Sequence, residues 1–200
     1  MNLTKEHILL VSFKLFLNKG YKDVSMSMIV NATGLSKGGI YYYFKNKEQL
    51  FFDTIDNLYL SILPFEKEML LNHEVSFFDY MQMYIDNIKR VSKIMSGYMG
   101  DNSLGMGHLR LMLDVVNYAP EFRSKIEEVK RNEFSFLSKV LENGIKKDEI
   151  RSDLDSEIVA KQFQCLQDGI VLNSLFFDNL DVLYLNVDKA LKQLYNLVRK

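Results

Sequence analysis

Residues 25–47 read SMSMIVNATGLSKGGIYYYFKNK. Ser25 precedes a short apolar run, and a hydroxyl or amide there accepts a hydrogen bond from an unpaired helix N–H. Gly34 closes that run, as expected of a residue free to take positive φ. Ser36 opens a second run, which extends to about Phe44. Asn46 opens a third, with Gln49 at the capping-box position. Two short helices about a glycine turn make a helix-turn-helix. Ile29 and Ala32 are expected to face a preceding helix and Leu35 to seal the corner. Ile40 and Phe44, four residues apart, plug the third helix into the core.

The opposite face of that third helix is Gly38, Tyr41, Tyr42 and Lys45, with Lys37 and Lys47 flanking it. Ammonium and phenol groups bond phosphate oxygens, and tyrosine rings lie against sugars and thymine methyls. A helix N-terminus adds free N–H groups and partial positive charge. Tyr41, Tyr42 and Tyr43 span about 200° of a helix, so they cannot all be buried with Ile40 and Phe44. Gly38 and Gly39 each cost the helix on the order of 1 kcal/mol against alanine. A bare backbone there would let the helix tip sit deep in the major groove. The competing readings are core packing for the tyrosines and close helix–helix contact for the glycines.

The rest of the chain supports a cationic head on an acidic body. Residues 1–50 hold seven lysines against three carboxylates, a net +4, while the remaining 150 residues carry −5. The 200-residue chain is 48% hydrophobic and has a formal net charge of −1, a composition that folds. That balance disfavours a uniformly basic, non-specific nucleic-acid coat. A single cysteine, Cys165, excludes a disulfide scaffold. Few prolines and glycines argue against a many-stranded sandwich. No targeting signal or membrane span is read, so the expected location is the cytoplasm.

Helical periodicity runs almost throughout, and the expected fold is all-α with about nine helices. The first spans about 4–19, with Ile8, Val11, Ser12, Leu15 and Phe16 on one face, Thr4 as N-cap and Gly20 as stop. The fourth spans about 47–71, with Pro64 kinking it. Others are expected near 75–96, 104–117, 120–146, 155–177 and 183–199. Gly97–Gly107 reads as a loop, and Pro120 suits a first helical turn. The expected division is 1–46 for DNA binding and 47–200 for effector binding and dimerisation.

The run from Ile8 to Gly20-Tyr21, and then from Ser25 through Ala32-Thr33-Gly34-Leu35-Ser36-Lys37-Gly38-Gly39-Ile40-Tyr41-Tyr42-Tyr43-Phe44-Lys45-Asn46-Lys47-Glu48-Gln49-Leu50, resembles the N-terminal domain of the TetR family of bacterial transcriptional regulators. The resemblance covers about fifty residues. It implies an all-helical homodimer whose three N-terminal helices bind a palindromic double-stranded operator and whose body binds a small effector. By position, Tyr41, Tyr42, Tyr43 and Lys47 would contact DNA, with Lys37, Gly38 and Gly39 at the helix tip and Ser25 and Ser27 on phosphate. Met28 stands where the family often has a polar residue, and Gly39 where it often has a hydroxyl.

The body is rich in Phe, Tyr and Met, which permits an apolar, adaptable pocket. Tyr84, Met99, His108 and Cys165 are the ligand candidates, for an apolar or amphipathic effector. The last two helices are expected to form the dimer seam, through Gln162, Phe163, Leu166, Gly169 and Ile170 on one and Leu191, Leu194 and Tyr195 on the other. No metal or cofactor is expected: His7, His73 and His108 lack ligand spacing, and Cys165 reads as a buried, inert thiol. The Asp53/Asp56 and Asp178/Asp181 pairs read as solvated faces or caps. The function expected is an effector-released repressor, not an enzyme. The alternative is a helical small-molecule binder or enzyme with a vestigial helix-turn-helix.

Overall fold

The computed structural model describes residues 3–62, 74–99, 104–174 and 180–200. Among these the chain is helical, with one isolated bridge between Ile150 and Arg199. The helices are α1 Leu3–Lys19, α2 Met26–Thr33, α3 Lys37–Tyr43 and α4 Lys47–Thr54. α4 continues through a π-helical turn, Ile55–Tyr59, into Leu60–Ile62. Then come α5 Phe77–Met99, α6 Leu104–Tyr118, a 3-10 turn Pro120–Phe122, α7 Arg123–Lys146, α8 Ser156–Ser174 and α9 Leu180–Val198. The expected kink at Pro64 and the Asp178 of the second aspartate pair lie outside the described residues.

The chain forms two compact units, Met1–Pro64 with Lys93–Arg123 and Phe65–Ser92 with Ser124–Lys200. In the first, α1 packs against α2, α4 and α6. Its buried face is Ile8, Leu9, Ser12, Phe13, Phe16 and Leu17. Val11 and Leu15, expected on that face, are only half-buried. Apolar residues occupy consecutive positions from Ile8 to Val11, so spacing alone does not select which side turns inward. Ala32 is likewise exposed, and Thr33 is buried beside the turn instead. Its hydroxyl donates to Val30 O (3.0 Å).

In the stretch Gly97–Gly107, expected as a loop, the described residues are helical: α5 runs through Gly97 to Met99, and α6 already includes Gly107. Packing explains Gly107. A side-chain Cβ there would lie 2.9 Å from Leu17 O and collide with the Met99 thioether. Glycine therefore lets α6 approach the end of α1. One turn on, Arg110 Nη1 donates to Asn18 O (2.8 Å), and Asp114 accepts from Tyr21 N (2.7 Å). Between them Gly20 has φ 86°, and a Cβ there would press on the Arg110 side chain. Tyr21 stacks on Tyr118, with ring centroids 4.9 Å apart.

The second unit packs the first part of α5 with α7, α8 and α9 around Phe77, Tyr80, Met81, Phe136, Val140, Leu141, Phe163 and Leu191. Phe163 is fully buried there and Leu191 nearly so. Both belong to the core of the second unit. α8 carries apolar residues on more than one side, and its largest side chain turns inward. The Cys165 thiol, expected to be buried, is exposed on the outer side of α8.

Candidate nucleic-acid interface

The head's helix ends are set by local chemistry. The Ser25 hydroxyl accepts from Met28 N (3.2 Å), and Gly34 comes after α2 in the left-handed region at φ 70°. The Ser36 hydroxyl accepts from Gly39 N (3.1 Å). Asn46 Oδ1 accepts from Gln49 N (2.8 Å), and Gln49 Oε1 accepts in return from Lys45 N (2.9 Å). Each cap satisfies backbone donors that a helix start leaves open.

Between these caps α3 has one inward and one outward side. Ile40 and Phe44 are fully buried. His7 on α1 braces the same corner through Nε2, 3.1 Å from Thr33 O, and Lys5 bonds Asp53 on α4 (2.9 Å). On the outward side Tyr42 is 81% exposed and Tyr41 41%, whereas Tyr43 is half-buried. Tyr43 meets the edge of the Tyr42 ring at 5.0 Å. Lys37 lies 5.7 Å from the Tyr41 ring centre, and Lys45 is exposed.

The two glycines separate the competing readings. A Cβ at Gly38 would meet nothing within 4 Å, and one at Gly39 only the Ser36 hydroxyl, at 3.3 Å. Close packing inside the chain therefore does not account for either. At Gly38 the tip of α3 is open.

Lys47 has a second use. Its Nζ donates to Tyr21 O (2.8 Å) and sits 4.3 Å from the centre of the Tyr21 ring. Burial lowers its pKa below the ordinary lysine range. The ammonium thus ties the start of α4 to the turn after α1. Ser27 is exposed on α2, and Ser25, while capping, keeps its O–H as a donor.

The ligand candidates are divided between the two units. His108 and Met99 lie in the first unit, Met99 buried beside Gly107 and His108 3.0 Å from the Tyr59 hydroxyl. Tyr84 and Cys165 belong to the second. The Tyr84 ring stands 6.2 Å from Phe163, and burial pushes its phenol far above the ordinary range. Of the seam candidates, Gln162 and Gly169 are exposed, and Leu166, Ile170, Leu194 and Tyr195 border the core half-buried. No group of metal-ligating side chains occurs among the described residues, and none of their helices is long and apolar enough to cross a membrane.

Comparison with known proteins places these features. The family model described as bacterial regulatory proteins, tetR family, matches residues 8–54. The transcriptional repressor NemR of Escherichia coli is 23% identical over 142 residues, 70% of this chain and 68% of that protein. The transcriptional regulator QacR of Staphylococcus aureus is 43% identical over 56 residues, 28% of this chain and 29% of that protein. Among solved structures, a TetR transcription regulator from Haloarcula marismortui superposes with a TM-score of 0.69 at 16% identity, covering 98% of both chains. NalD, the secondary repressor of the MexAB-OprM multidrug efflux pump in Pseudomonas aeruginosa, gives 0.66 at 16%, covering 98% of this chain and 97% of that one. Capped head helices, a glycine-tipped α3 and the matched residues agree: residues 8–54 match the N-terminal domain of the tetR family of bacterial regulatory proteins.

Proposed function

We propose that the protein is a DNA-binding transcriptional repressor that grips a palindromic operator as a homodimer and is released by a small apolar or amphipathic effector. The carrying observation is the outward side of α3. Tyr41 and Tyr42 are solvent-facing, and the backbone at Gly38 is bare with open space above it. Lysines flank this surface, and no packing inside the chain calls for glycine at Gly38. Relatives named as repressors support the reading. Residues 1–46, with Lys47 just beyond them, carry the DNA contacts, and the rest of residues 47–200 the effector and dimer functions. Lys37, Lys45, Ser25 and Ser27 supply phosphate contacts, and Lys47 adds one with whichever N–H its carbonyl partners leave free. Gly38, Gly39, Tyr41, Tyr42 and Tyr43 approach the groove.

Selection from a random duplex library tests this. The protein should enrich a palindrome with half-sites about 34–36 Å apart. Its affinity should fall steeply with salt as lysines displace counterions. Equal binding to every duplex, or to none, defeats the proposal and favours a helical small-molecule binder.

For the dimer, the exposed stripe of α8 is the surface to consider. Ile158, Gln162, Cys165, Gly169 and Leu172 recur at the alternating four–three spacing of a helix seam. Ile158 is 58% exposed and Leu172 52%. A Cβ at Gly169 would meet nothing within 4 Å of this chain. A second copy seated there covers Cys165. Maleimide labelling of Cys165 should therefore slow by about tenfold or more as concentration is raised through the dimerisation range, as expected for an interface core sealed from water. A labelling rate independent of concentration, with a monomer mass throughout, removes this surface from the proposal.

A further inference from the structure

In the turn after α1, two helices hold the same residue. Asp114 on α6 accepts from Tyr21 N (2.7 Å), and Lys47 at the start of α4 donates from Nζ to Tyr21 O (2.8 Å). The Tyr21 ring is held as well. It stacks on Tyr118 of α6 at 4.9 Å and tilts against Phe51 of α4 at 4.7 Å, with the Lys47 ammonium 4.3 Å from its centre. Just before it stands Gly20, at φ 86°. Glycine leaves a backbone more freedom than any other residue, so the path of this turn depends on what grips it from outside. The grips come from α6, one helical turn apart: Arg110 on Asn18 O and Asp114 on Tyr21 N.

Lysine is a point charge on a flexible stem. When such a side chain meets a phosphate its stem must become ordered, and that ordering lowers affinity unless it is done beforehand. At Lys47 it is done beforehand. Nζ donates to Tyr21 O and also reaches Lys22 O at 3.5 Å, so two of its three N–H directions lie along the turn and fix the third. Burial disfavours the ammonium, and the carboxylates of Asp23 and Asp114 offset part of that. Lys47 itself follows Asn46, the cap that joins α4 to the end of α3. The carbonyl that anchors the ammonium belongs to the residue whose N–H Asp114 holds. Asp114 lies 93 residues beyond Tyr21 in sequence, yet a single residue separates it from the ammonium.

We infer that Asp114 is a positioning residue for DNA binding: from α6 it fixes Tyr21, and Tyr21 aims the Lys47 ammonium at an operator phosphate. Asp114 does not itself meet DNA. This role rests on the DNA-binding reading above and adds to it a residue far outside 1–46. Charge alone pulls the other way. A carboxylate near a polyanion repels it, so every neutral replacement of Asp114 would strengthen binding if charge were all that mattered. Positioning reverses that sign for a replacement that cannot accept from Tyr21 N, and leaves it in place for one that can.

The test uses the full chain, a duplex that the wild-type protein has selected, and fixed salt. Asp114→Ala should lose about five- to tenfold in affinity, the size of effect that ordering a long side chain in advance has on association. Asp114→Asn is equally neutral but keeps an oxygen for Tyr21 N, and should bind within about twofold of wild type or more tightly. A Lys47→Met background keeps the stem and removes the ammonium. There Asp114→Ala should cost less than about twofold, because the group that it positions is gone. Melting curves establish that each variant is folded at the assay temperature. If Asp114→Ala does not fold, Tyr118→Leu removes the other hold of α6 on Tyr21, and its loss should likewise shrink in the Lys47→Met background. A loss of equal size in both backgrounds makes Asp114 merely structural and overturns the inference. So does tighter binding by Asp114→Ala, or a loss in Asp114→Asn as large as in Asp114→Ala. In each of these cases the DNA-binding reading stands. If wild type selects no duplex, that reading fails and the positioning role falls with it.

Discussion

Tyr42→Ala weakens operator binding by about ten- to hundredfold while leaving thermal stability nearly unchanged, as expected for a lost recognition contact of about 1–3 kcal/mol. At 81% exposure the ring contributes little burial to the fold, and its neighbour Tyr43 is itself only half-buried. Surface substitutions of this kind usually shift stability by less than about 0.5 kcal/mol. The two readouts must therefore separate. Gel-shift titration at fixed salt measures the first, and a melting curve the second. Unchanged affinity at constant stability would remove the outward side of α3 from the binding surface. Lys45→Ala, just past the end of α3, offers a comparison, because losing a phosphate contact lowers the salt slope by about one unit.

Two residues along, the balance reverses. Phe44→Ala should cost about 3–5 kcal/mol of stability, the usual range for emptying a fully buried aromatic site. Phe44 is 0% exposed, its N–H closes α3 by bonding Ile40 O (3.0 Å), and the Lys5 ammonium lies 5.5 Å from its ring centre. Whole domains are stable by only about 5–15 kcal/mol. Urea unfolding should thus show a much earlier midpoint, and DNA binding should disappear with the fold. A midpoint within error of wild type would mean that the head does not depend on this plug. Together the two variants divide one aromatic run, Tyr41 to Phe44, into a part that binds and a part that folds.

That division is legible from spacing because caps and helix faces are local matters. Ser25, Ser36, Asn46 and Gly34 act within three or four residues of themselves, so their roles can be read from the residues beside them. The features that spacing misses depend on partners far along the chain. Gly107 reads as loop chemistry until Leu17 is seen against it. Arg110 and Asp114 look like ordinary surface charges, yet each holds a backbone group more than ninety residues away in sequence. Nothing in the run Ile55–Tyr59 announces a wide turn, since its register answers to packing around Tyr59. The body is least legible. Helices such as α8, apolar on several sides, offer more than one candidate core, so Phe163 and Leu191 read as available to a partner when they fill their own subunit.

The open space at Gly38 has a practical corollary. Because no neighbour limits what stands there, a library randomised at that one codon would sample new tips for the reading helix at little folding risk, and most non-proline choices would even firm the helix by a few tenths of a kcal/mol or more. On the DNA-binding proposal, retargeting the protein to altered binding sequences would therefore best begin from the position where the natural chain presents no side chain at all.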